Sequence, residues 1–226
     1  PEYEGSSDMT VVPLIAGELK WGNNRYIAWD GITGRINVLD NENFEFGPAI
    51  NITLGRDKDI ESLKIRRLDE IDTAVELGAF AAYNIAGGLR DGDMIRLSGQ
   101  VTSDVSDVHE GVVGDLTATY RTRFGDKLGV SFYNSISFAN DEFADTYFSI
   151  TPVGALATGL ARTTVEAGVK DFSFGINAIY DLNDRWSLFA TTKYSRLLGD
   201  FADSPIVALE GDDNQFSVGL GIGWKF

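Results

Sequence analysis

The chain has no cysteine, 5 prolines in 226 residues and a single histidine, His109. Without cysteine there are no disulfides, thiolate zinc sites or cysteine nucleophiles. No apolar run approaches the roughly 18 residues of a membrane helix. That excludes a helical membrane protein but not a β-barrel, whose strands are only half apolar. Positive charge is also scarce. Lys and Arg number 19 against 34 Asp and Glu, a net charge of -15. A nucleic-acid surface needs a basic stripe, so nucleic acid is not an expected partner. No charged-then-apolar leader of signal-peptide type is seen, and the chain opens at Pro1 without Met. The expectation is that the protein starts before Pro1.

What is present is alternation. In 214–226 every even position from Phe216 to Phe226 is apolar, while the odd positions are polar or glycine. Period two means a β-strand with one greasy and one small, polar face. The same pattern recurs at 43–55, 72–84, 93–102, 111–124, 127–138, 171–181 and 185–197. Shorter candidates lie at 25–30 and 32–39, and an ambiguous one at 9–20 contains Pro13. Glycine, at 25 residues, recurs inside these segments, as suits a crowded lumen. The predicted fold is all-β, a single antiparallel transmembrane β-barrel domain over 1–226. Eleven strands can be counted. Bacterial barrels use even numbers, so twelve are expected, the first truncated before Pro1, with ten as the alternative. Residues 1–8 read as a strand end followed by a loop.

Counting back from the C-terminus sorts the connections. Those at 182–184, 125–126, 85–91, 40–42 and 22–24 fall on the periplasmic side. Those at 198–213, 139–170, 103–110, 56–71 and 30–31 fall outside. The three longest are all outside, as outer-membrane barrels require. The charged segment 56–71 could hold a short helix. The stretch 139–170, with Tyr147, Phe148, Ile150, Val153 and Leu156, is apolar enough to pack on itself, plug the barrel mouth or bind a partner.

Alternation alone does not distinguish a membrane barrel from a soluble one with its greasy face inward. The aromatics favour lipid. Phe172 and Tyr180, Trp186 and Tyr194, and Phe216 with Trp224 and Phe226 stand near opposite strand ends, as interfacial girdles do. Eight steps from Trp186 to Tyr194 at about 3.3 Å each, tilted about 40°, span roughly 20 Å of membrane. The opposite face carries Glu76, Arg96, Asp115, Arg121, Arg123 and Lys193, candidate lumen charges that would either line a pore or plug a narrow interior as ion pairs.

The irregular segments resemble the MipA/OmpV family of outer-membrane proteins. Pro1-Glu-Tyr3-Glu-Gly5-Ser6 is similar to the family's P-x-Y-x-G-S. Phe46-Gly47-Pro48 comes before Gly55-Arg56-Asp57, and Glu76-Leu-Gly78 follows. His109-x-Gly111 resembles part of G-H-x-G, with Val108 where the family has glycine. Thr146-Tyr147-Phe148-Ser-Ile150-Thr resembles T-Y-F-x-V-T, and Asp203-Ser204-Pro205-Ile206 resembles D-S-P-I. The resemblance implies a non-enzymatic barrel in the outer membrane of a Gram-negative bacterium, in contact with outer-membrane lipid and lipopolysaccharide. It further implies a scaffold linking a murein lytic transglycosylase to a penicillin-binding protein, with a narrow porin-like channel as the alternative. Tyr3, Gly5, Arg56, His109, Tyr147, Phe148, Ser204 and Pro205 are the motif residues it singles out.

Other chemistry is weaker. Ser106, Asp107 and His109 invite a rim-esterase reading, but a triad needs three groups within hydrogen-bond reach, which closeness along a loop does not supply. Asp57, Asp59, Glu61, Asp69 and Glu70, and likewise Asp200, Asp203, Asp212 and Asp213, are acidic loops without EF-hand spacing; solvated carboxylates are the ordinary reading. No cofactor is expected.

Overall fold

The computed structural model describes residues 1–224, so Phe226 lies outside the described residues. Eleven strands follow in order: β1 (Ala16–Trp21), β2 (Arg25–Asp30), β3 (Thr33–Asn37), β4 (Phe44–Thr53), β5 (Ala74–Ala86), β6 (Met94–Asp104), β7 (Val112–Phe124), β8 (Leu128–Ala139), β9 (Gly168–Asp181), β10 (Trp186–Leu197) and β11 (Asn214–Trp224). Each pairs antiparallel with the next in one curled sheet of barrel type. Each overlaps a segment marked by alternation. The segment 9–20 narrows to Ala16–Trp21, beyond Pro13, which has no N–H to give a ladder. Residues 1–8 hold no strand. They turn and make one bridge, Ser6 to Gly211.

The sheet curls far enough for Leu14 to touch both ends of its own strand order. A Cβ placed on Gly31 or on Gly219 would lie 3.2 Å from a Leu14 methyl. Among the described residues, β1 and β11 share no ladder. No helix among them is long and apolar enough to cross a membrane.

The greasy face points outward. Val218, Leu220 and Ile222 are 75%, 78% and 67% exposed, whereas inward Glu76 is fully buried. Hydrocarbon satisfies no backbone donor or acceptor, so the antiparallel ladder holds those groups while apolar side chains meet lipid. The aromatics expected to form girdles lie in two rows. Trp186 pairs with Trp224, and Leu188 with Tyr180, at the short-turn end. Tyr194 pairs with Phe216, and Arg196 with Phe172, at the long-loop end. The Tyr194 and Phe216 rings lie 5.0 Å apart.

One irregularity alters the interior. Ser137 faces Asp171 but Phe138 faces Val169, so Lys170 is an extra, bulged residue. The bulge turns both Lys170 and Asp171 inward, where both are buried.

The apolar core lies at the long-loop end. There α1 (Asp141–Phe148), α2 (Pro152–Thr158), α3 (Gly199–Asp203) and α4 (Pro205–Ala208) join a 3-10 turn, Ile65–Arg67. Each of the longer pair starts on a side-chain cap: Asn140 accepts from Phe143 N–H and Thr151 from Gly154 N–H. Ser204 accepts from Ile206 N–H, and Pro152 and Pro205 occupy first turns, where a missing N–H costs nothing. Phe143, Phe148, Val165, Phe201 and Val207 pack onto Ala139 and Leu197 at the long-loop ends of β8 and β10. A second cluster joins Tyr3, Ile60, Ile65, Leu68, Ile150, Leu160 and Ile206. The short helix expected in 56–71 is present as the 3-10 turn. The stretch 198–213, read as loop, contains α3 and α4.

Leu220→Arg, near the middle of β11 and facing outward, is expected to cost about 2–4 kcal/mol of barrel stability. Reversible unfolding in lipid bilayers checks this; a variant as stable as wild type would mean that this face does not meet lipid.

Candidate functional site

The interior divides into a polar barrel wall and a packed cap, and the sequence-selected residues fall on both sides of that boundary. On the wall, Arg96 Nη2 donates to Glu45 Oε2 at 2.7 Å. Glu45 also accepts from Tyr26 Oη and Asn84 Nδ2, each at 2.6 Å. Arg35 Nε donates to Gln100 Oε1 at 2.8 Å. Arg123 reaches Asp181 Oδ2 at 3.5 Å and the Asp126 carbonyl at 3.0 Å, at the short-turn end. Asp115 and Lys193 face inward, and neither they nor Arg121 make an ion pair among the described residues. The six candidate charges are therefore not one network. The bulge supplies another, with Lys170 bonded to Glu4 and 3.1 Å from Asp171, whose carboxylate also accepts from Ser137 and Ser173.

Glu76 stands at the boundary. It is fully buried and accepts from Thr53 Oγ1 at 2.5 Å, Thr102 Oγ1 at 2.7 Å and Asn51 Nδ2 at 3.1 Å. His109 Nε2 lies 3.3 Å from its Oε1. Gly111 N–H donates to His109 Nδ1 at 3.0 Å, so the ring proton sits on Nε2 and points at Glu76. Gly111 is required here, because a Cβ would fall 2.7 Å from Phe143 N and 2.9 Å from His109 Nδ1. The ring packs edge-on to Phe143 at 5.1 Å. Both nitrogens are thus engaged away from Ser106, whose hydroxyl bonds to Asp104 Oδ1 at 2.6 Å. The Ser106, Asp107 and His109 arrangement does not assemble.

The remaining motif residues converge in the cap. Arg56 Nη1 donates to the Tyr147 carbonyl at 3.3 Å, and its guanidinium lies 6.0 Å from the Tyr3 ring centre. The Tyr147 ring stacks at 4.6 Å on Phe143 and lies 5.7 Å from His109. Ser204 Oγ donates to the Phe148 carbonyl at 2.6 Å, and Phe148 meets Phe201 edge-on at 5.1 Å. Gly5 has φ +92°, and a Cβ there would strike Val207 at 2.6 Å. Pro205 opens α4 beneath them. Burial pushes the Tyr3 phenol up to about 12 and raises Tyr147 as well, so both stay protonated. Burial also lowers Arg56 from its ordinary value.

Sequence reasoning passed over Glu45, Arg35, Lys170 and Asp171. Glu45 was legible from parity, alternating with Phe44 and Phe46. Lys170 was not, since a bulge breaks the alternation that would place it. Among the described residues no three carboxylate or histidine side chains stand together as a metal site.

Glu76→Gln replaces one acceptor oxygen of this cage with a donor facing donors. It is expected to destabilise the folded chain by about 1–3 kcal/mol, read as a lower thermal midpoint with unchanged strand content. A midpoint equal to wild type would show that the four donors do not depend on the carboxylate.

The description "MltA-interacting protein MipA" belongs to a family whose model matches residues 1–226. The chain is 25% identical over 240 residues to the outer membrane protein OmpV of Vibrio cholerae serotype O1, covering 93% of this chain and 90% of that protein. It is 31% identical over 117 residues to the outer membrane protein Omp26La of Vibrio anguillarum, covering 45% of this chain and 43% of that one. With the outward greasy face, the two aromatic rows and the loop sorting, these likenesses place the protein in a Gram-negative outer membrane. The chain belongs to the MltA-interacting protein MipA family of outer-membrane proteins.

Proposed function

We propose that this protein is a capped outer-membrane barrel that serves as a non-enzymatic anchor for murein enzymes, holding a lytic transglycosylase and a penicillin-binding protein at the periplasmic face. The observation that carries the reading is the cap. Phe143, Phe148, Phe201 and Ile206 are essentially fully buried over the outer ends of the strands. Packing of that quality suits a fixed plug rather than an open pore. The family description supports an interaction with a murein enzyme, and the short periplasmic turns leave a compact face for docking. Nothing in the Glu76–His109 pair offers a free base. A narrow channel is the second reading, favoured by inward-facing Lys193 and by Arg121, both exposed.

Two measurements test the proposal together. Purified protein in planar bilayers is expected to show no repeated conductance steps, while a variant with 141–158 replaced by a flexible linker gains them. Capture from cross-linked envelopes is expected to recover the transglycosylase and the synthase. Steady conductance by the intact chain would favour the channel, and failure to bind either purified enzyme would remove the anchor role.

A further inference from the structure

We propose that the cap contains a binding site for a small oxyanion, a phosphate or carboxylate group, formed by Arg56, Tyr3 and Tyr147. The inference goes beyond the anchor role and does not depend on it.

Arg56 is only 6% exposed. Asp69 stands near enough to act on the Arg56 charge, but no carboxylate pairs with it among the described residues, and the guanidinium donates to a neutral carbonyl, that of Tyr147. Its Nε is buried without an acceptor. Tyr147 Oη is likewise buried without a partner, and Tyr3 Oη, beside the Ser6 side chain, makes no hydrogen bond of good geometry. Both tyrosines already contact Arg56, one through its ring and one through its carbonyl. Two buried donors without acceptors, a poorly bonded third and a positive charge without an ion-pair partner therefore lie on residues that touch.

The other buried cations of the interior are treated differently. Arg96 has Glu45, and Lys170 has Glu4 and Asp171. A buried guanidinium left without an anionic partner is strongly destabilising. A guanidinium accepts no hydrogen bonds, so another donor offers it nothing. Water would meet a donor but leave the charge unbalanced. An oxyanion meets both needs at Arg56, accepting from Nε–H and drawing in the phenols as further donors. Tyr3 lies on 1–8, which is held to the cap by the Ser6–Gly211 bridge and the Glu4–Lys170 pair, so entry past it requires that segment to lift.

The test uses the full chain refolded in detergent. Sodium phosphate or sodium acetate is titrated at ionic strength held constant with chloride, and thermal unfolding is followed by circular dichroism. The wild-type midpoint is expected to rise and saturate with one of the two anions. Phosphate alone acting identifies a phosphate-type site, and acetate alone a carboxylate site. Arg56→Gln is expected to abolish the rise. Tyr147→Phe, which keeps the ring, is expected to weaken apparent affinity about tenfold; it carries the test if Arg56→Gln does not fold. The proposal is overturned if wild type responds to neither anion beyond chloride, as a site filled by water alone would. It is also overturned if Tyr147→Phe responds as wild type does.

Discussion

Hydrocarbon offers no hydrogen bonds, and that constraint organises the whole molecule. Backbone polar groups must be met within the sheet, and side chains must sort strictly by parity. The consequence is a wall with Leu220, Ile222 and their neighbours outside and a polar interior built on Glu45, Arg96 and Glu76. A barrel of this kind has no greasy core of its own to hold its centre together.

The protein places its apolar core elsewhere. Segments 1–8, 56–71, 139–170 and 198–213 fold onto the long-loop ends of the strands, burying Phe143, Phe148, Phe201 and Ile206. Polar junctions then fix cap to wall, Glu76 with His109 and Glu4 with Lys170, while Ser204 on the Phe148 carbonyl ties two parts of the cap together. Of the residues marked by family resemblance, His109, Phe148 and Ser204 stand at these junctions and the others pack within the cap. What looks in sequence like scattered loop motifs is the contact set of one packed lid.

The strands were legible because lipid keeps one face apolar over ten or more residues, as at Val75 to Ile85 of β5 and Phe216 to Trp224 of β11. The cap was less legible because its helices are eight residues or shorter and their helical phase is hard to see. Their starts were nonetheless written in the chain as Asn140, Thr151-Pro152 and Ser204-Pro205. Parity found the inward charges but not their pairing, which depends on neighbouring strands. It failed at Lys170, where one inserted residue turns two adjacent side chains to the same face.

We propose that the cap closes the outer mouth and leaves the inward face below it, where Lys193 is exposed, on the periplasmic side of the seal. The cysteine-free chain allows a direct measurement. Lys193→Cys places one thiol on the inward face, at a position exposed in the structure. Intact cells are treated with a maleimide too large to cross the outer membrane. The account predicts no labelling from outside and prompt labelling once the periplasmic face is made accessible. Rapid labelling of intact cells would mean that the cap does not close the barrel.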